Sequence, residues 1–294
     1  MILLGVLIWM LWDQLGKVTG SDWKELTLKR PFFLIIGIVL VYFNWYFEWR
    51  KWKLSLSVIG VKEGRKILFK SFMAGIMTGL LTPNMLGNFI GRIYYFQRRF
   101  RVSIVLMTLL SNFTQFFASI FFGFLSILFL QKLPFTVSWK LGLLIVGLIS
   151  LISLVLYFFF EYLKISLIQK LKVYQKMVLF IDGQIKFRSN FLLFSLVRHF
   201  VFTLQFWLIF NSFVDALNWQ TFFWIWQIFL WTTMIPSLWF GKLVIRESIA
   251  LLVLTAIGYP ELEVLISSIL LWTVNLAFPS ILSLIICSKK ENRV

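Results

Sequence analysis

GIMTGLLTPNMLGNFIGR, residues 75–92, decides how this chain folds. Glycine or proline stands at every fourth position, at Gly75, Gly79, Pro83, Gly87 and Gly91. Pro83 lacks a backbone N–H and its ring clashes with the carbonyl four residues back, so a helix through it loses hydrogen bonds that lipid cannot replace. The spacing therefore predicts a helix broken at Thr82-Pro83-Asn84, with Thr82 capping a second half-helix and Pro83 preset for its first position. Backbone N–H groups and a positive dipole end would then point at the middle of a membrane, where transporters hold anionic groups. A proline-kinked single span, with glycines for close packing, is the plainer alternative.

The flanking charges favour the broken form. Arg50–Lys70 carries seven basic residues against the single acid Glu63, and Arg92–Arg101 carries four arginines and no acid. Were residues 71–91 to cross once, one of these basic segments would face outward, against the positive-inside bias. A re-entrant hairpin that enters and leaves on the cytoplasmic side keeps both inside. The remaining spans then put 20 basic residues inside and 6 outside, with Arg198, Lys242 and Arg246 in or at the membrane.

Long uncharged runs set the class. Val102–Leu130, Leu141–Phe160, Ala216–Gly241 and Val264–Ser288 contain no charge, and about 20 helical residues cross the hydrocarbon. Barrel strands alternate apolar and polar residues, which these runs do not. The expectation is an all-α polytopic membrane protein, a single domain over residues 1–294 with about six to eight membrane segments. A net charge of +17 follows from cytoplasmic loops and anionic headgroups rather than nucleic acid. The single Cys287 and single His199 allow no internal disulfide and no zinc constellation, and no cofactor or metal is expected.

Along the chain, Met1–Leu11 is apolar but too short to cross, either a stub or the remainder of a helix that begins upstream. Pro31 opens a helix expected to end near Trp49. Residues 161–190 read as a cytoplasmic amphipathic connection, with apolar positions among lysines. A second interrupted element, Ile235-Pro236-Ser237…Gly241…Arg246-Glu247, repeats the order of proline, glycine and arginine with entry from the opposite side. Two such elements form a candidate inverted repeat. The tryptophans read mostly as an interfacial belt.

With these residues in view, the chain resembles the flippase-like transmembrane domain of bacterial lysylphosphatidylglycerol synthases and its stand-alone relatives. The resemblance covers nearly the whole chain. It rests on Asn44-x3-Glu48-x2-Lys51-Trp52, Thr82-Pro83-Asn84-x2-Gly87-x3-Gly91-Arg92, Asn112 with Gln115, Pro236-Ser237…Arg246-Glu247, and Trp272-x2-Asn275-x3-Pro279. It implies a translocation module in the bacterial inner membrane without the synthase, and the charge pattern, with Lys289, Lys290 and Arg293 after the last span, puts the C-terminus in the cytoplasm. Relatives usually carry glutamate after the glycine of the first broken helix; here that position is Asn88, so neither a lysyl-lipid substrate nor proton coupling follows.

The candidate substrate-binding residues are Glu48, Thr82, Pro83, Asn84, Gly87, Asn88, Arg92, Gln115, Pro236, Ser237, Arg246 and Glu247. Arg92 reads either as a bidentate phosphate ligand or as a snorkelling side chain. Glu48, beside Arg50 and Lys51 at an expected helix end, reads first as a local ion pair, and Arg198 as a snorkelling residue. Asn112 and Gln115 share a helix face and are suited to satisfying broken backbone. Arg246-Glu247 is a charge pair near the membrane interior, expensive enough to be functional. The expected function is movement of an anionic phospholipid or polyprenyl-phosphate-linked lipid between leaflets. The alternative is a membrane enzyme or accessory protein acting on lipid headgroups, but the sequence carries no second histidine, paired aspartates or nucleophile motif. Self-association and a lipid-modifying partner enzyme are compatible with either.

Overall fold

A computed structural model describes residues 26–80, 82, 87–159, 185–215, 217–235 and 241–288. The amphipathic connection and the N-terminal stub expected above lie outside these residues, as do Pro83, Asn84, Pro236 and Ser237, apart from Ile185–Asn190 at the connection's end. Helices α1 (Pro31–Ile59), α2 (Arg65–Leu80), α3 (Asn88–Ile93), α4 (Arg98–Leu130) and α5 (Trp139–Phe159) make up the first half. Helices α6 (Ile185–Asn211), α7 (Gln220–Met234), α8 (Gly241–Thr255), α9 (Glu261–Trp272) and α10 (Phe278–Ser288) follow. A π turn, Thr273–Ala277, joins α9 to α10. The described residues contain no strand. Among the described residues, five helical stretches are long and apolar enough to cross a membrane: α1, α4, α5, α6, and Glu261–Ser288 taken as one.

Helix α1 runs well past the expected stop at Trp49. Pro31 occupies its first turn and Gly60, at φ 79°, ends it in the left-handed region that glycine tolerates best. The segment from Arg50 to Ile59 is therefore helix rather than loop, because Trp52, Leu56 and Ile59 bury against Phe72, Phe96 and Phe191.

Helices α1 and α6 lie antiparallel along their full length. Arg30 donates to the Asn211 and Val214 carbonyls at 3.1 and 2.7 Å, Gly37 lies against Ile209, Asn44 accepts from Arg198, and Lys51 faces the Phe191 ring. Pairs in which one number rises as the other falls identify two chains running past one another. Close approach at Gly37 requires glycine, since a Cβ there would come within 2.8 Å of the Ile209 side chain.

Helices α2 and α3 fold back on each other as a helical hairpin. Thr82 Oγ1 accepts the Gly87 N–H at 2.7 Å, and Thr78 Oγ1 accepts the Gly91 N–H at 3.1 Å. A Cβ at Gly91 would collide with the Ala74 carbonyl, and one at Gly75 would meet Arg92 Nε at 2.7 Å. The four-residue glycine spacing is thus the seam of this hairpin. Thr82 does cap a backbone donor, as expected, but the described half-helix begins at Asn88, with Gly87 before it. Helix α10 packs antiparallel to α2, with Ser283 Oγ donating to the Met73 carbonyl at 2.7 Å.

The buried apolar side chains divide into two main clusters. One holds Phe206, Phe210, Ile225, Phe229, Leu254 and Leu271; the other holds Trp52, Leu56, Phe72, Met107 and Phe191. On α6 the first cluster takes the residues beyond Phe206 and the second those before Leu192, leaving Arg198 between them. On α1, Phe33 to Leu40 pack on the first and Trp52 to Ile59 on the second, leaving Asn44 and Glu48 between. Asn275 falls between Leu271 and Leu282 in the same way. A polar layer is sandwiched between two apolar halves. Outward-facing Phe32, Ile35, Tyr42, Leu144, Leu151 and Ile281 are exposed, as a lipid-facing surface requires. Of the described tryptophans, Trp52, Trp207, Trp224 and Trp226 are buried in the core rather than placed at its surface.

Candidate functional site

The polar layer is built by residues at the same height on different helices. Asn44, Glu48 and Lys51 follow a spacing of four and three, so they project from one face of α1. Glu48 Oε1 accepts from Arg92 Nη2 at 3.2 Å. Its other oxygen, Oε2, accepts from Arg198 Nη1 at 3.0 Å and lies 3.9 Å from Lys51 Nζ. Arg198 also donates from Nε to Asn44 Oδ1 at 2.8 Å and from Nη1 to Gln115 Oε1 at 3.3 Å. Lys51 donates to the Ser111 carbonyl at 3.2 Å. Three cations surround one carboxylate, a formal excess of two positive charges.

A ladder of amides fixes this group in place. Asn44 Nδ2 donates to Asn275 Oδ1 at 2.9 Å, and Asn275 Nδ2 donates to Gln205 Oε1 at 3.0 Å. The π turn that contains Asn275 widens the helix there, and such bulges are frequent at functional positions. Gln205, Asn275, Asn44, Arg198, Glu48 and Arg92 therefore form one continuous run of side-chain hydrogen bonds across α3, α1, α6 and the π turn.

The height of the cluster follows from the helices that carry it. Arg198 is thirteen residues from either end of α6 (198 − 185 and 211 − 198). Gln115 lies near the midpoint of α4, Asn44 and Glu48 near that of α1, and Asn275 near that of Glu261–Ser288. Charges at such depth are expensive unless paired, and intramembrane charges mark functional sites by default. Lys51 and Arg92 are 1% and 3% exposed, whereas the Arg198 side chain keeps 29% and that of Glu48 15%, so the cluster opens on the Arg198 side. The Arg92 guanidinium also lies over the Trp52 ring, 4.6 Å from its centroid, a favourable cation–π arrangement.

Several expected site residues meet here and others do not. Glu48, Arg92 and Gln115 belong to the cluster, and Asn88, one helical turn before Arg92, donates from Nδ2 to Asn112 Oδ1 at 3.2 Å in a separate amide pair. Gly87 and Thr82 shape the hairpin. Glu48 is not at a helix end in a merely local pair: its partners Arg92 and Arg198 come from other helices. Arg198 does not snorkel, because three acceptors from α1 and α4 hold it inward. Asn112 and Gln115 bond side chains, while Thr78 and Thr82 serve the backbone of the hairpin. Arg246 and Glu247 form a separate buried pair, in which Arg246 donates to Glu247 Oε1, to Ser268 Oγ at 3.2 Å and to the Ser268 carbonyl at 2.9 Å. Ser268 Oγ donates to Glu247 Oε1 at 3.1 Å. Among the described residues no hydrogen bond or ion pair links this pair to the Glu48 cluster.

Lys51, Arg198, Asn44, Asn275 and Gln205 are the members that the site expectation left out. Their signal was present in part: the 44, 48, 51 spacing defines a polar face on an apolar helix, and Arg198 interrupts an apolar run at its middle. His199, beside Arg198, is buried and stacked on Phe122 at 5.2 Å, which makes it part of the aromatic packing. No group of three metal-ligating side chains occurs among the described residues.

These features define a polytopic α-helical membrane protein with a buried, cation-rich centre halfway along its spans. The chain matches the family described as the lysylphosphatidylglycerol synthase TM region over residues 1–283, and it belongs to that family. Comparison with curated proteins and with solved structures gives no match. The protein is accordingly a lipid-related, multi-pass membrane protein.

Proposed function

We propose that this protein moves an anionic lipid headgroup, that of a phospholipid or a polyprenyl-phosphate-linked lipid, between leaflets. The observation that carries this reading is the excess of Lys51, Arg92 and Arg198 over Glu48 halfway along α1, α4 and α6. A phosphate entering beside Arg198 offsets the unbalanced charge, while the acyl or prenyl tails stay in lipid. In this reading the α2–α3 hairpin is re-entrant from the cytoplasm, α7 and α8 flank its inverted counterpart, and the C-terminus is cytoplasmic in a bacterial inner membrane. Two helices broken in opposite senses let the headgroup be reached from each side in turn. Transport rather than chemistry fits the side chains present: the sole histidine is packed against Phe122 and Phe229, and both oxygens of Glu48 are engaged by Arg92 and Arg198. Self-association or a partner enzyme that modifies the lipid fits this role equally.

The test is reconstitution into vesicles containing a tail-labelled anionic phospholipid, with dithionite bleaching the outer leaflet. Wild-type protein is expected to make nearly all the label bleachable within minutes, and Arg198→Gln to leave about the outer half. Bleaching that stops at the outer half with wild-type protein, or release of a chemically altered headgroup, removes the transport reading.

A further inference from the structure

Three polar atoms, on Arg92 and on the Asn88–Asn112 pair beside it, are buried and lack a hydrogen-bond partner: Asn88 Oδ1, Asn112 Nδ2 and Arg92 Nε. Asn88 and Arg92 are four residues apart on α3, so they share a face, and each is more than nine-tenths buried. Leaving such groups unpaired costs free energy, so together they describe the group that completes them. The Asn88–Asn112 contact uses one donor and one acceptor. Whichever way the two amides are turned, one donor and one acceptor remain. A hydroxyl, which both gives and takes a hydrogen bond, matches that remainder. An ammonium does not, for it has no lone pair to accept the amide N–H. It would also sit beside Lys51, Arg92 and Arg198, outnumbering Glu48, and be repelled.

Arg92 fixes where the hydroxyl lies relative to phosphate. Its Nη2 is committed to Glu48, and Nε is held over Gly75, where a Cβ would stand 2.7 Å away. Nε, though packed there, has no hydrogen-bond partner and lies within one helical turn of the Asn88 amide, on the face that already carries the positive excess.

Resting on the transport reading above, we infer that the headgroup this site selects is a phosphodiester bearing an uncharged, hydroxylated substituent, such as glycerol or a sugar. The Asn88–Asn112 amides recognise the hydroxyl and Arg92 with Arg198 holds the phosphate. Zwitterionic and aminoacylated headgroups are disfavoured.

The experiment measures binding of tail-labelled phosphatidylglycerol, phosphatidylinositol, phosphatidic acid and phosphatidylethanolamine to the full chain in detergent. Phosphatidylglycerol is expected to bind roughly 3- to 10-fold more tightly than phosphatidic acid, the worth of one or two hydrogen bonds, and phosphatidylethanolamine most weakly. The phosphatidylinositol arm distinguishes a sugar-like from a glycerol substituent. Asn88→Ala is expected to weaken phosphatidylglycerol roughly 3- to 10-fold, down to the level of phosphatidic acid, and to leave phosphatidic acid unchanged, whereas Asn88→Glu is expected to shift preference toward phosphatidylethanolamine. Equal binding of phosphatidylglycerol and phosphatidic acid by the wild type, with both lost in Arg198→Gln, overturns the hydroxyl inference and leaves the phosphate site. A preference that survives Asn88→Ala also overturns it. Failure of every anionic lipid to bind overturns the site itself and the inference with it.

Discussion

Arg92 and Arg198 grip opposite oxygens of one carboxylate, that of Glu48, at 3.2 and 3.0 Å, although they lie in different halves of the sequence. The consequence is that Glu48 is the anion that lets α3 and α6 approach α1 without mutual repulsion.

Glu48→Gln is therefore expected to be among the most destabilising single changes, by about 3–5 kcal/mol, because it leaves buried cations without their counter-charge. Unfolding in mixed micelles titrated with dodecyl sulfate measures it. A change under about 1 kcal/mol would mean that water, rather than Glu48, balances the cluster.

The α2–α3 hairpin gives a second, purely steric expectation. Gly91→Ala puts a methyl against the Ala74 carbonyl, which as backbone cannot turn aside, and such overpacking costs about 1–3 kcal/mol. At Gly64 an added Cβ meets nothing within 4 Å, so Gly64→Ala is expected to stay within about 0.5 kcal/mol of wild type. The same unfolding assay compares them, and equal effects would deny the close approach.

Much of this arrangement was legible in the chain, and the reason differs by part. Uncharged runs of membrane length are a local property, so the α-helical class and most spans follow from composition. The glycine spacing likewise announced a close seam. Pairings between distant segments carry no local mark. Lys51 and Glu48, three apart, look like a self-contained pair until Arg92 and Arg198 are brought in from 44 and 150 residues away. Reading Arg50–Lys70 as a basic loop overlooked that Trp52, Leu56 and Ile59 keep an apolar stripe going through the charges. Asn275 was legible only as part of the resemblance, because its partners Asn44 and Gln205 lie on other helices.

Membrane orientation supplies the third expectation. In a Cys287→Ser background, cysteines at Lys62 and Gln97, both exposed positions flanking the hairpin, are expected to resist an impermeant thiol reagent in intact cells. One at the exposed Thr136 is expected to react. Lys62 and Gln97 labelling from opposite sides would show that residues 65–93 cross the membrane and would end the re-entrant reading.

The last expectation separates the two charged centres. Arg92 uses geometry as well as charge: its planar guanidinium lies over Trp52 while Nη2 reaches Glu48. A lysine there keeps the charge but not the planar fork, so Arg92→Lys is expected to weaken anionic-lipid binding about 10-fold, at the level of one charge-assisted hydrogen bond. Arg92 and Arg198 meet on the same carboxylate, and their Lys substitutions are expected to combine less than additively, with a coupling of about 1 kcal/mol or more. Arg246 is held by Glu247 and Ser268 in a pair with no shared partner, so Arg92→Lys with Arg246→Lys is expected to add within about 0.5 kcal/mol. Titrating the three single and two double variants with one tail-labelled lipid measures both couplings. Strong coupling between Arg92 and Arg246 would place one phosphate across both centres. Simple additivity between Arg92 and Arg198 would instead mean that Glu48 joins them in the fold without joining them in binding.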